Sequence, residues 1–142
     1  MKIAIGSDHK GFALKNELKK YISSLGHEVL DLTPENDLNF VVSAKRVSET
    51  IQANKADRGI IIDEYGVGSF MVANKYKGVI CANVANEHSA QMTRRHNKST
   101  IVTIGSGIVG ETLAKNICEI FINQEYDGGR HQIRVDMLNK MC

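Results

Sequence analysis

Along this chain, short apolar runs alternate with stretches whose apolar residues recur at helical spacing. Lys2 to Gly6 is β-branched and apolar and ends at a glycine, which predicts a strand. Leu14, Leu18, Tyr21, Ile22 and Leu25 then fall on one side of a helix, with Lys15, Glu17, Lys19 and Lys20 opposite. Gly26 stands where a helix C′ residue belongs, and His27 to Leu32 predicts the second strand. Thr33 to Asn39 carries Pro34 with Asn and Asp and reads as a loop; Phe40 to Ala56 reads as a helix. Three further strands follow at Ile60 to Asp63, Val79 to Val84 and Ile101 to Gly105. Helices are predicted over Gly68 to Lys75, Glu87 to His96 and Ile108 to Gln124. After the turn Tyr126-Asp127-Gly128-Gly129, a last helix is predicted over about 129–141.

Strands alternating with helices imply a parallel sheet with right-handed crossovers. The continuously apolar Gly59-Ile60-Ile61-Ile62 is expected of a strand covered on both faces. The expectation is an α/β fold: a single-domain, Rossmann-like three-layer sandwich over residues 1–142. It has a five-stranded parallel sheet and an extra C-terminal helix. Ligands of such sheets gather at the carboxyl ends of strands. That rule points to Ser7–Lys10, Asp63–Gly68 and the region of His96 and Gly105.

Composition narrows the function. The 142 residues are 42% hydrophobic and 24% charged, with a net charge of +2, enough for one core. So small a charge, with no basic run and scattered aromatics, argues against nucleic acid or a membrane surface as partner. Met1 leads directly into a strand rather than a signal peptide, and no apolar run reaches membrane-spanning length. Cys81, Cys118 and Cys142 match no zinc or redox spacing and read as reduced thiols of a cytoplasmic protein.

Four places carry candidate chemistry. Gly66, Val67 and Gly68 form a Gly-rich turn between strand and helix, whose amides suit anionic oxygens. The same turn bears Asp63 and Glu64, which would repel phosphate, so it holds something else or is a ligand site that has lost its ligand. Arg130 and Arg134, four apart beside His131, form either a dianion clamp or a solvated basic face; the Gly-Gly turn before them favours the clamp. Ser7-Asp8-His9 opens the first helix, where an N-cap explains Asp8 better than His9. Arg94-Arg95-His96-Asn97 ends the fourth helix, where cations are favoured by the helix dipole alone.

Taken in order, these segments make the chain resemble the ribose-5-phosphate isomerase B / galactose-6-phosphate isomerase family over essentially its full length. The matching segments are Gly6-Ser7-Asp8-His9-Lys10-Gly11, Gly66-Val67-Gly68 with Ala73-Asn74-Lys75, Arg95-His96-Asn97, Gly105-Ser106, and Tyr126-Asp127-Gly128-Gly129-Arg130-His131-Gln132-Ile133-Arg134-Val135. The ending from Arg134 to Cys142 and the run Gly68 to Ala73 are most similar to the A-subunit branch of the galactose-6-phosphate enzymes.

The resemblance implies a 1,2 proton shift through an enediolate, with no metal and no cofactor. In the family pattern a cysteine base stands at the position of Asp63 and a threonine at that of Tyr65; both are replaced here. The turn at Gly66–Gly68 would be the anion hole. His96 would open the sugar ring, Asn97 would hold the substrate, Arg130 and Arg134 would bind phosphate, His9 would lie near it and Asp8 would contact the sugar. Family sites are shared across a dimer, which implies that the C-terminal helix packs on a neighbouring subunit. The expected activity is conversion of D-galactose 6-phosphate to D-tagatose 6-phosphate, with a B-type partner supplying the cysteine in a hetero-oligomer. Two alternatives remain open: a homo-oligomeric isomerase using Asp63 as base, and a non-catalytic sugar-phosphate-binding or scaffold paralogue.

Overall fold

A computed structural model describes all 142 residues. Strands β1 (Lys2–Ser7), β2 (Glu28–Asp31), β3 (Arg58–Asp63), β4 (Cys81–Asn83) and β5 (Ile101–Gly105) alternate with helices α1 (Phe12–Ser24), α2 (Phe40–Gln52), α3 (Val67–Ala73), α4 (Glu87–Asn97) and α5 (Glu111–Asn123). A 3₁₀ turn at Gly129–His131 leads into α6 (Gln132–Asn139). All pairings are parallel, in the order β2-β1-β3-β5-β4.

The two-residue period of the strands divides the core. Ile3, Ile5, Ile60, Ile62, Val102 and Ile104 face α1, α4 and α5, where Leu18, Ala90, Ile117 and Phe121 meet them. Ala4, Ile61 and Ile101 face α2 and α3, against Ala44, Val47 and Ala73. The chain therefore forms three layers, helices on both sides of the sheet. When it steps toward the β2 edge the helix lies on the first face; when it steps the other way the helix lies on the second. A single crossover hand requires this. Ile60, Ile61 and Ile62 on central β3 are fully buried, each worth roughly 1.5–3 kcal/mol of transfer energy.

Several boundaries differ from the sequence reading. Helix α2 stops at Gln52 rather than Ala56, because Asn54 adopts a left-handed conformation (φ 56°) that a helix cannot continue. Only the middle of the fourth apolar run pairs, so β4 is three residues long. Arg130 stands on the 3₁₀ turn and Arg134 on α6, not both on one α-helix.

Lys15 is the clearest departure: assigned to the solvated side of α1, it is fully buried. Its Nζ donates to both Asp31 oxygens, at 2.9 and 3.0 Å, and to the Thr33 carbonyl. The Thr33 hydroxyl in turn accepts from the Ser7 N–H at 2.9 Å. An ammonium so saturated can leave water, and periodicity alone cannot distinguish it from a surface lysine. Burial pushes the Asp31 carboxyl up, but hydrogen bonds from Lys15, Lys19 and the Thr33 N–H outweigh it and hold Asp31 below its ordinary value.

Candidate active site

β1 and β3 are neighbours, and their carboxyl ends flank the point where strand order reverses. On the β3 side, Asp63 is 5% exposed. Its Oδ1 accepts from the N–H groups of Tyr65 (2.9 Å) and Gly66, and its Oδ2 from the N–H (3.0 Å) and hydroxyl (2.6 Å) of Ser69. The carboxylate occupies the cluster of amides at the start of α3, where an anionic ligand would otherwise sit. Of the three turn residues expected to form an anion hole, Gly66 has its N–H engaged by Asp63.

Close backbone packing holds this turn. Gly66 is left-handed (φ 79°), and a Cβ there would come within 2.7 Å of the Asn83 amide nitrogen. A Cβ on Gly105 would come within 2.7 Å of the Tyr65 backbone, and one on Gly11 would collide with the Ile62 carbonyl. Ser106 and Gly107 N–H groups donate to the Asp63 and Glu64 carbonyls, both at 2.8 Å. The glycines of three separate sequence segments thus serve one purpose: they let neighbouring loops close on the end of β3.

On the β1 side, Asp8 is buried and its Oδ1 accepts from Lys10 and Gly11 N–H groups, each at 2.9 Å. This is a turn leading into α1 rather than the expected N-cap, which is Gly11. Asp8 also lines a cleft of about 220 Å³ together with Asp63, Glu64, Tyr65, Val67 and Gly68. His9 is exposed, and its N–H donates to the Leu38 carbonyl.

His96 lies elsewhere. A helix joining two parallel strands must run against them, so α4 ends at the amino edge of the sheet, as α5 does. The sequence rule grouped His96 with Gly105; the length of β5, roughly 16 Å for five residues, keeps them apart. Around His96 a second cluster assembles. Its ring stacks on His131, centroids 4.4 Å apart with 17° between planes. Arg95 binds Asp127 bidentately, Nε to the two oxygens at 3.1 and 3.0 Å and Nη2 at 2.9 Å. The Asp127 N–H returns to the Arg95 carbonyl at 3.0 Å. Buried Arg94 anchors the start of the same loop, donating to the Ser99 carbonyl at 2.7 Å and that of Gln124 at 3.3 Å.

Electrostatics gives this edge a positive character. The hydrogen bond from Arg95 and its charge hold Asp127 below the usual carboxylate range. Desolvation, then His96 and Arg130, push the His131 imidazole below its ordinary value; Asp127 pulls the other way, and Arg134 adds the smallest downward push. Both arginines therefore lie close enough to act on His131. Ligand atoms of His96, Asp127 and His131 fall within 4.8 Å of one another, a set that suits zinc by donor type. Arg95 already occupies the carboxylate, and Arg130 and Arg134 add positive charge, so the field suits an anion better than a cation. Asn97 does not join the stack; it lines a groove of about 440 Å³ with Phe70, Asn74, Asn83 and Leu138 along the β4 edge.

Sequence reasoning treated Arg94 and Arg95 as dipole-favoured cations and assigned Asp127 only to a turn. Their partners stand about thirty residues away, and no local period announces such a pair.

Residues 3–138 match the ribose/galactose isomerase family. The galactose-6-phosphate isomerase subunit LacA of Clostridium acetobutylicum is 56% identical over 99% of both chains, and that of Streptococcus mutans is 56% identical over 100% of both. Among solved structures, ribose-5-phosphate isomerase B of Clostridium thermocellum superposes with a TM-score of 0.95 at 37% identity, covering 99% of this chain and 96% of that one.

Proposed function

The chain belongs to the ribose/galactose isomerase family, and on that premise we propose that it converts D-galactose 6-phosphate to D-tagatose 6-phosphate as one of two unlike subunits. The observation that carries this reading is the state of Asp63. Both its oxygens are spent on the turn it stands on. A base must offer a lone pair to the substrate C–H, and Asp63 would have to release the bonds that shape the turn. The base therefore comes from a B-type partner whose turn carries a cysteine.

This chain contributes the amino-edge cluster. Arg130 and Arg134 hold the phosphate through charge-assisted bonds, with His131 beside them. His96 passes a proton to the ring oxygen as its bond to the anomeric carbon breaks, and the anomeric hydroxyl gives up its proton to water, so that the sugar opens to its carbonyl form. The partner's thiolate then takes the proton beside the carbonyl, its turn amides hold the enediolate oxygen, and the proton returns to the neighbouring carbon. Asn97 steadies the sugar. Because the two edges of one chain lie a sheet's length apart, each working site joins the amino edge of one subunit to the carboxyl edge of another. No helix of the chain is long and apolar enough to cross a membrane. All three cysteines are free, burial pushing Cys118 up to about 12, and we place the enzyme in the cytoplasm.

The test is an isomerase assay of the pure chain, of a B-type subunit, and of the two mixed. The mixture should turn over galactose 6-phosphate while this chain alone does not. His96→Ala in this chain should lower the mixed rate about 10²- to 10⁴-fold. Activity of the lone chain that Asp63→Asn removes would establish the carboxylate as base and overturn the two-subunit reading.

A further inference from the structure

Four cationic or imidazole groups converge at the amino edge: Arg95, His96, Arg130 and His131. Asp127 is the acidic group among them. A carboxylate beside a phosphate-binding cluster opposes the ligand's charge, so its presence needs a reason. Four contacts supply one. Its two oxygens fix the Arg95 guanidinium at 2.9–3.1 Å, and its own N–H docks on the Arg95 carbonyl at 3.0 Å. Side chain and backbone thus tie one residue to the last turn of α4 from two directions.

The chain after that anchor reverses sharply. Gly128 and Gly129 are both left-handed, at φ 65° and 56°, and deliver the 3₁₀ turn carrying Arg130 and His131 back toward α4. Two successive glycines leave that reversal free to open unless its start is fixed. His131 then lands face to face on His96.

Resting on the reading of this cluster as the phosphate-holding half of a sugar-phosphate site, we propose that Asp127 is its positioning residue. Asp127 pins the Gly-Gly reversal to α4, so that Arg130 and His131 meet the phosphate and His131 braces the His96 ring. It does not touch the substrate. Its negative charge is the electrostatic cost of that placement, and Arg95 screens most of it.

The charge and the placement make opposite predictions, which gives a clean test. Inorganic phosphate is titrated into the full-length chain while the imidazole signals of His96 and His131 are followed by NMR. If Asp127 only adds a like charge, Asp127→Asn strengthens phosphate binding. If it positions the cluster, Asp127→Asn weakens binding about tenfold despite the more favourable charge, and Asp127→Glu restores much of it. The asparagine keeps the backbone N–H, so the fold is retained; its circular dichroism and melting should stay close to those of the parent. Without ligand, the ring-current shifts between His96 and His131 should collapse toward free-imidazole values in Asp127→Asn. Equal or tighter phosphate binding by Asp127→Asn, or an unchanged histidine stack, overturns the proposal. A parent chain that ignores phosphate would instead overturn the phosphate reading, and the ring-current comparison would still decide whether Asp127 positions the stack.

Discussion

At the carboxyl edge of the sheet, the Asp63 carboxylate accepts four hydrogen bonds from its own turn. At the amino edge, Arg130 and Arg134 are exposed and enter none of the chain's ion pairs. Both regions are built to meet negative charge, one with amides at a helix start and the other with guanidinium groups. They differ in whether that capacity has been consumed internally. A turn can keep its shape while losing its chemistry if a side chain supplies the charge that the reacting substrate once supplied. The basic edge, with no internal substitute, remains open to a ligand.

The largest test of this contrast is Asp63→Ala. Removing the carboxylate leaves several buried donors without an acceptor and should lower stability by about 3–5 kcal/mol, read by urea denaturation. Phosphate binding at the other edge should not change. A variant as stable as its parent would mean that Asp63 does not hold the turn, and the contrast would fail. Next comes Arg134→Ala, or Arg130→Ala, which should weaken galactose 6-phosphate binding in the mixed enzyme ten- to hundredfold with unchanged stability. Unphosphorylated galactose should be indifferent to either change.

The smallest effect is in mild acid. Burial and its cationic neighbours hold the His131 pKa below its ordinary 6.5, so the folded chain prefers the neutral ring. That preference contributes stability above 6.5 and loses it as pH falls through the folded value. Asp31, held below 3.8 by bonds that outweigh its burial, contributes above 3.8 and loses it only in stronger acid. Hydrogen exchange on acidification should therefore loosen the Gly128–His131 segment before the α1–β2 contact. Simultaneous loosening would show that His131 is not desolvated by the His96 stack.

Much of the fold was legible because its signals are local. The apolar run of β3, the helical spacing of Leu14, Leu18 and Ile22 and the glycine after α1 each report on their own neighbourhood. The candidate site was legible in pieces: Asp63, His96, Arg130 and Arg134 each stand out by type and place. What could not be read was which pieces meet. His96 and Gly105 are close in sequence but lie on opposite edges, because a crossover helix reverses direction. Lys15 was assigned to solvent because a helical period counts charges without seeing Asp31 and Thr33 beyond the next turn. The internal occupation of the Gly66 turn depends on the Asp63 rotamer, which no pattern encodes.

Asn74, at the C-terminus of α3, pairs with the last strand of the sheet. Its side-chain amide donates to the Cys81 carbonyl, and its side-chain oxygen accepts from the Cys81 N–H, both at 3.1 Å. One side chain thereby imitates a neighbouring strand and terminates the ladder at β4. A further strand could pair with Cys81 only by displacing this side chain. A partner meeting this border would be read through the shape and chemistry of side chains, which distinguish like from unlike partners far better than main-chain pairing, the same for every sequence.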